Sequence, residues 1–134
     1  MRKTILTTIL VLILLTFMGC GGKTYTFNYS LDKIESIEIV SAENSLEFTV
    51  IKKLSETEQD VFLEQFQEIE FDNYYFGDPM SVSGDAVKIT YRNGEYEMIS
   101  CYWSEFVRDG EVYFIRKSCD EKVFNELLSN FIDN

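Results

Sequence analysis

Residues 85–100, "DAVKITYRNGEYEMIS", decide the fold because they contain two alternating runs joined by a turn signal. Asn93-Gly94 fits a two-residue type I′ turn, since both residue types tolerate the positive φ angles that this turn requires. One side of the resulting hairpin then holds the apolar pairs Tyr91 with Tyr96 and Ile89 with Met98. The other side holds the polar pairs Arg92 with Glu95 and Thr90 with Glu97. The sequence therefore predicts an antiparallel hairpin with Glu97 on its polar face.

Similar alternation predicts strands before and after this hairpin. The runs "IESIEIV" (34–40) and "LEFTV" (46–50) alternate apolar with polar residues, which is typical of strands with one buried face. If Ala42–Ser45 forms the loop between them, the facing pairs are Ile39 with Phe48 and Ile37 with Val50. Beyond residue 99, "SCYWSEFV" and "EVYFIRK" predict two more strands, joined by a turn at Arg108–Gly110.

Two segments change to helical spacing. In "LSETEQDVFLEQFQEI" (54–69), Ser55 and Glu58 form a capping-box signature, and the apolar residues Phe62, Phe66 and Ile69 follow at i, i+4 and i+7. In "SCDEKVFNELLSNFI" (118–132), an acidic start precedes an apolar stripe formed by Phe124, Leu127, Leu128 and Phe131. A short strand is expected within residues 70–85. The prediction is an α+β fold, with an antiparallel sheet of about five to six strands and two helices in the order ββα(β)βββα.

Composition and charge limit the possible partners. The 134 residues are 46% hydrophobic and 15% aromatic, which fits one compact domain and argues against disorder. The first 19 residues carry two basic side chains and no acid, so the remaining 115 carry a net charge of −13, two units more negative than the −11 of the whole chain. Such a surface repels nucleic acid and attracts cations. We therefore expect no nucleic-acid role, and we expect any protein partner to be cationic. The alternative is that the acids only keep the domain soluble and away from an anionic membrane.

The N-terminus resembles the signal peptide of a bacterial lipoprotein precursor. Arg2 and Lys3 precede an apolar run over 5–18 that is too short to span a bilayer, for which about 20 residues are needed. Gly19-Cys20 then matches the end of a lipobox, although Phe17 and Met18 depart from its commonest pattern.

The lipobox resemblance implies that Cys20 receives a diacylglyceryl thioether and becomes the first mature residue. The expected organisation is a signal peptide over 1–19, a lipidated N-terminus and tether over 20–30, and one α+β domain over 31–134. The protein is then lipid-anchored on the extracytoplasmic face of the cell membrane. An ordinary secretory signal and an uncleaved anchor are the alternatives.

The side chains available for chemistry exclude several reaction classes. The chain contains no histidine, which excludes Ser-His-Asp, Cys-His and His-zinc sites. Two thiols remain after lipidation, Cys101 and Cys119, and the turn at Arg108–Gly110 brings them nearly opposite each other. In an extracytoplasmic protein this favours a disulfide, with two reduced buried thiols as the alternative.

Two weaker binding patterns lie in or near the loop regions. Oxygen ligands for Ca²⁺ are available from Asp72, Asn73, Asp78 and Asp85, but their spacing is not that of an EF-hand. Aromatic side chains that could stack on sugar rings are Tyr74, Tyr75, Tyr102 and Trp103. Solvated loop acids and core aromatics are the ordinary explanations, so neither a metal nor a cofactor is expected.

The mature sequence resembles small lipoproteins of Gram-positive bacteria that carry a domain of unknown function. The stretches that carry this resemblance are "IESIEI", "DAVKITYRNGEYE" and "CDEKVFNELL". The resemblance implies a surface-anchored domain and adds no catalytic residues. The expected function is therefore non-catalytic binding or interaction at the cell envelope, with a cationic protein or an envelope glycan as the partner. The alternative is a small carboxylate-dependent enzyme such as a glycan hydrolase.

Overall fold

The computed structural model describes residues 23–72, 81–115 and 117–134. Within these residues six strands and two helices follow one another in the order ββαββββα. Their bounds are β1 Ile34–Ala42, β2 Phe48–Lys53, α1 Glu56–Gln67, β3 Gly84–Tyr91, β4 Tyr96–Ile99, β5 Ser104–Arg108, β6 Glu111–Phe114 and α2 Glu121–Ile132. The strands form one antiparallel sheet in the order β2-β1-β3-β4-β5-β6. The α+β fold expected from the sequence is confirmed.

Both helices pack on one face of this sheet, which we call the helix face. The Ser55 hydroxyl accepts from the Glu58 N–H and the Glu58 carboxylate accepts from the Ser55 N–H, so the expected capping box begins α1. The main core joins side chains of the helices and the middle strands, among them Phe62, Phe66, Phe124, Leu128, Ile37, Ile89 and Ile99. No helix in the described part of the chain is long and apolar enough to cross a membrane.

The opposite face of the sheet, which we call the outer face, carries a second apolar cluster. Its buried members are Val40, Ala42, Val82, Ala86, Met98 and Trp103. Phe48 and Tyr96 pack against this cluster and are partly buried. The centre of the sheet is therefore buried on both faces, which is unusual for an antiparallel sheet that has helices on only one side.

The first hairpin has a later and longer loop than the sequence suggested. Ala42 faces Phe48 and Val40 faces Val50, so the expected facing pairs Ile39 with Phe48 and Ile37 with Val50 are wrong. The loop is held by Asn44, whose Oδ1 accepts from the backbone N–H groups of Leu46 and Glu47, both at 2.9 Å. This side-chain bonding extends the loop to Glu47 and shifts the register.

The hairpin over 85–100 forms, but its register differs from the expected one by one residue. The Tyr91 N–H donates to the Glu95 carbonyl oxygen at 2.9 Å, which leaves a three-residue loop ending at Gly94, whose φ is +87°. Ile89 therefore faces Glu97, and the expected pairs Ile89 with Met98 and Tyr91 with Tyr96 are wrong. A shift of one residue moves every side chain of a strand to the other face. Glu97 consequently lies in the main core, fully buried.

The two-residue turn with positive φ angles occurs instead at the hairpin between β5 and β6. Arg108 faces Glu111, and the two residues between them, Asp109 and Gly110, have φ angles of 52° and 75°. These values match a type I′ turn. The turn expected at Arg108–Gly110 is confirmed.

The segment expected to be a tether belongs to the folded domain from Lys23 onward. Tyr25 is 4% exposed and packs with Phe27 against the main core. The Phe71 N–H donates to the Lys23 carbonyl oxygen at 2.8 Å, which fixes the start of the segment against the chain after α1. The expected tether over 20–30 is therefore wrong for residues 23–30, because their aromatic side chains fill the core.

Candidate functional site

Two fully buried carboxylates lie on neighbouring strands but on opposite faces of the sheet. Glu97 lies on β4 and Glu105 on β5, with exposed fractions of 0% and 1%. Phe106 is opposite Glu97, whereas Met98 is opposite Glu105. Because side chains alternate along a strand, Glu97 faces the helices and Glu105 faces outward. The two groups therefore belong to different environments.

The Glu97 carboxylate is surrounded by hydrogen-bond donors. The Tyr25 hydroxyl donates to Oε1 at 2.9 Å, and the Asn28 N–H donates to Oε2 at 3.1 Å. The Tyr91 hydroxyl also donates to Oε2. Burial raises the pKa of both tyrosines, and the neighbouring carboxylate raises it further, so their hydroxyls remain protonated donors. The carboxylate thus fastens the N-terminal segment to the sheet.

A buried lysine completes this cluster. Lys117 is 8% exposed, and its Nζ lies 4.0 Å from the centroid of the Tyr25 ring. Its ammonium donates to the Thr26 carbonyl oxygen at 2.5 Å. Burial raises the pKa of Glu97 and lowers that of Lys117. Every group in the cluster has a partner, so we assign the cluster a structural role.

Glu105 has a different environment. Its Oε2 is buried and has no hydrogen-bond partner among the residues that the structure describes. Lys88 lies on the same face but forms an ion pair with Glu38, with 3.6 Å between the Lys88 Nζ and the Glu38 Oε2. The Lys88 Nζ also lies 4.7 Å from the ring centroids of both Phe48 and Tyr96. Glu105 is therefore a buried carboxylate without a cation in the described part of the chain.

Glu105 lines a cavity of about 350 Å³ on the outer face, which we call the cleft. The cleft lies between the β1–β2 loop and strands β5 and β6. Its lining residues are Asn44, Ser45, Leu46, Glu47, Ser81, Glu105, Val112 and Phe114. The Tyr96 hydroxyl donates to the Ser45 carbonyl oxygen at 2.8 Å, which holds the loop over the sheet. Leu46 and Phe114, which are 50% and 57% exposed, form an apolar rim.

The two cysteines lie side by side, as the sequence suggested. The Cys119 N–H donates to the Cys101 carbonyl oxygen at 2.7 Å, and both residues carry free thiols in the structure. Burial raises the pKa of Cys119 to about 12 and also raises that of Cys101. Both groups are therefore thiols near neutral pH, and the disulfide stays a prediction.

The expected calcium ligands fall in separate places. Asp72 forms an isolated bridge with Ser118, and Asp85 lies in β3 opposite Ser41. Asn73 and Asp78 lie outside the described residues. Over 23–72, 81–115 and 117–134 there is no group of three or more side chains that could hold a metal ion.

Of the four aromatic side chains expected to stack on sugar rings, the described residues include only two. Tyr74 and Tyr75 lie outside the described residues, as does Cys20. Tyr102 is 46% exposed, and its hydroxyl donates to Glu121. Trp103 is 2% exposed and packs in the outer cluster, so its expected role in stacking on a sugar is wrong. The turn after β4 is closed by the Trp103 backbone N–H, which donates to the Ser100 hydroxyl at 3.1 Å, and it places the indole in the outer cluster.

Comparison with known proteins gives no assignment. No family model matches the chain, and neither a curated protein nor a solved structure matches it. The resemblance to Gram-positive lipoproteins therefore stays a prediction.

Proposed function

We propose that the chain is a lipoprotein, anchored through Cys20 to the extracytoplasmic face of the cell membrane, that presents a non-catalytic binding domain at the cell envelope. The basic start, the short apolar run and Gly19-Cys20 support the anchor. Two acyl chains on one residue hold a protein to a bilayer far more firmly than one chain does.

The packing of the N-terminal segment sets how far this domain can reach. Because the Lys23 carbonyl oxygen is already bonded to the Phe71 N–H, only three residue steps separate Cys20 from a residue that is held against the domain. An extended chain covers about 3.3–3.6 Å per residue, so the separation is at most about 11 Å. A lipidated protein would therefore hold its domain next to the headgroups.

The observation that carries the binding function is the cleft on the outer face. Its volume of about 350 Å³ is close to those of three other surface depressions of the domain, about 370, 420 and 370 Å³, so its lining and not its size distinguishes it. Its walls combine the apolar side chains of Leu46, Val112 and Phe114 with the Glu105 carboxylate. Apolar walls with a small number of polar groups are typical of a binding site.

One observation favours the enzymatic alternative. Glu47 and Glu105 line the same cleft, and glycan hydrolases act through two carboxylates that flank the scissile bond. Glu47 lies on the exposed loop, where its carboxylate accepts from the Asn44 side-chain amide at 3.2 Å. Release of reducing sugar from envelope glycans by the wild type, abolished in both Glu47→Gln and Glu105→Gln, would establish the hydrolase instead.

The anchor is tested by substituting Cys20. We expect Cys20→Ala to abolish incorporation of labelled palmitate and to leave the precursor uncleaved at this position. Cys119→Ala serves as the control and should be labelled like the wild type. Palmitate incorporation into Cys20→Ala would contradict the anchor.

The binding function is tested by capture from envelope extracts with matched variants. Leu46→Ser removes half of the apolar rim, whereas Val61→Ser removes an apolar side chain of similar exposure on α1. We expect an envelope protein to be captured by the wild type and by Val61→Ser, and to be lost with Leu46→Ser. Equal capture by all three would contradict a site in the cleft.

A further inference from the structure

The buried Glu105 carboxylate has no positively charged partner in the described residues. Transferring an isolated ionised carboxylate to an apolar environment costs much free energy unless a cation or donors compensate the charge. Oε2 of Glu105 has no such group among the described residues, and Lys88, on the same face, is paired with Glu38. A cation that enters from the cleft would satisfy this oxygen, and the side chains that cover Oε2 must move to admit it, because Glu105 is only 1% exposed.

The walls of the cleft decide which kind of cation fits. Ca²⁺ requires six to eight oxygen ligands, but no group of three or more acidic or thiol side chains that could hold a metal ion occurs in the described residues, and Leu46, Val112 and Phe114 offer apolar surface. An alkylammonium group matches both parts of the cleft, because its charged end can pair with a carboxylate while its methylene stem packs on apolar side chains. The lysine side chain has this composition.

Two further features indicate that the lysine belongs to a protein. The whole chain carries a net charge of −11, which steers basic proteins toward it. The cleft also borders β6, which is the last strand in the sheet order. An extended peptide segment can add to such an edge while one of its side chains enters a neighbouring pocket.

We infer that the cleft binds the ammonium group of a lysine side chain on a basic protein partner, with Glu105 as the counter-ion. This inference rests on the proposed binding function and names the partner's chemistry. Leu46 and Phe114 contact the methylene stem, and Glu105 accepts hydrogen bonds from the ammonium.

The test is a titration of the full chain, in detergent micelles, with Nα-acetyl-lysine methylamide. Trp103 is the only tryptophan, and its ring centroid lies 5.8 Å from that of Phe114, so its fluorescence reports on the cleft. Equilibrium dialysis of the same probe gives a second measure of binding, independent of any change in fluorescence. Nα-acetyl-norleucine methylamide, at matched ionic strength, is the uncharged comparison.

We expect saturable binding of the lysine probe and at least about tenfold weaker binding of the norleucine probe. Glu105→Gln should weaken binding of the lysine probe by about tenfold or more, because a charge-assisted hydrogen bond is lost. Glu111→Gln changes the net charge equally at an exposed position on β6 and should stay within about twofold of the wild type. Equal binding of the two probes, equal binding by Glu105→Gln and the wild type, or no saturable binding by dialysis would overturn the inference.

The outcome also separates this inference from the proposed function. Capture of an envelope protein that depends on Leu46 but not on Glu105 would support the proposed binding function and contradict the inference that the cleft binds a lysine side chain. Binding of the lysine probe without capture of any envelope protein would keep the lysine pocket and reject the proposed role at the envelope.

Discussion

Glu97 and Glu105 are both buried, lie on adjacent strands and differ in what surrounds them. The Glu97 carboxylate accepts from two tyrosine hydroxyls and one backbone N–H and lies near Lys117. The Glu105 carboxylate has an oxygen with no hydrogen-bond partner in the described residues and lines an open cleft. Burial alone therefore does not identify a functional acid.

The difference between the two acids lies in the completeness of their hydrogen bonding. A saturated buried network holds elements in place, whereas a buried polar atom left unsatisfied requires an explanation. In this chain the saturated acid joins the N-terminal segment to β3 and β4, and the unsatisfied acid faces a pocket. Substitutions at Glu97 should accordingly change stability, and those at Glu105 should change binding.

The largest effect is expected for Glu97→Ala. The change leaves the donors of Tyr25, Tyr91 and Asn28 without their acceptor and leaves Lys117 buried without its counter-ion. Removing one member of a buried charged group costs about 3–5 kcal/mol of unfolding free energy. Urea denaturation followed by circular dichroism measures the loss. Glu126→Ala, at an exposed position of α2, is the control, and its unfolding free energy is expected to lie within about 0.5 kcal/mol of the wild-type value. Equal values for both variants would show that the network does not hold the fold.

A smaller loss is expected for Tyr91→Phe. The substitution removes one hydroxyl from the Glu97 carboxylate while the ring remains in the core. Hydrogen bonds to charged groups contribute about 1.5–3 kcal/mol, so a loss of that order is expected in the same denaturation experiment. Tyr113→Phe removes a hydroxyl that bonds exposed Glu111 at 3.1 Å and should have almost no effect. An unfolding free energy of Tyr91→Phe equal to that of the wild type would argue against a charged Glu97 carboxylate as the acceptor.

The pH dependence of stability should differ in sign between two acids of the same hairpin. Burial raises the pKa of Glu97, so the folded state keeps its proton over a pH range in which the unfolded state has lost it. The contribution of Glu97 is fully present below the unfolded pKa and decreases as pH rises through the folded pKa.

Glu95 shows the opposite behaviour, because its hydrogen bond from Tyr29 lowers its pKa. Its contribution is present above the unfolded pKa and is lost as pH falls through the folded pKa. Denaturation at pH 4, 6 and 8 should therefore give a wild-type advantage over Glu97→Gln that shrinks with pH. The advantage over Glu95→Gln should grow with pH, and the reverse trend at either residue would contradict the assignment.

The smallest effect on stability is expected for Glu105→Gln. The amide has nearly the same shape and removes a buried charge that has no cation in the described residues. We expect the unfolding free energy to stay within about 0.5 kcal/mol of wild type or to increase. A loss comparable to that of Glu97→Ala would show that Glu105 is also structural.

The sequence predicts the elements of this fold better than the faces of its strands. Alternation and the capping box at Ser55 correctly predict the α+β class, the two helices and the hairpin over 85–100. Asn-Gly is compatible with a two-residue turn and with a three-residue loop ending in glycine, and the chain uses the second. Since both faces of β4 are buried, the apolar residues Tyr96 and Met98 do not reveal which face meets the helices.

The candidate site was missed for the same reason. Glu97 and Glu105 occupy strand positions that read as solvent-facing when only one face of the sheet is assumed to be buried. The loop over 43–47 and Val82 cover the outer face, and this tertiary contact has no local signal in the sequence. Cys101 and Cys119, by contrast, were placed together correctly because a hairpin turn fixes their separation along paired segments.

The most direct test of the difference between the two acids is the shift in melting temperature that the lysine probe produces. At a probe concentration ten times its Kd, binding stabilises the folded state by about 1.4 kcal/mol, which corresponds to a rise of about 5 °C for a domain of this size. We predict this rise for the wild type and for Glu111→Gln, and a rise of at most about 1.5 °C for Glu105→Gln or with the norleucine probe, because their binding is at least about tenfold weaker. An equal rise in the wild type and in Glu105→Gln would contradict the assignment of Glu105 as the binding acid.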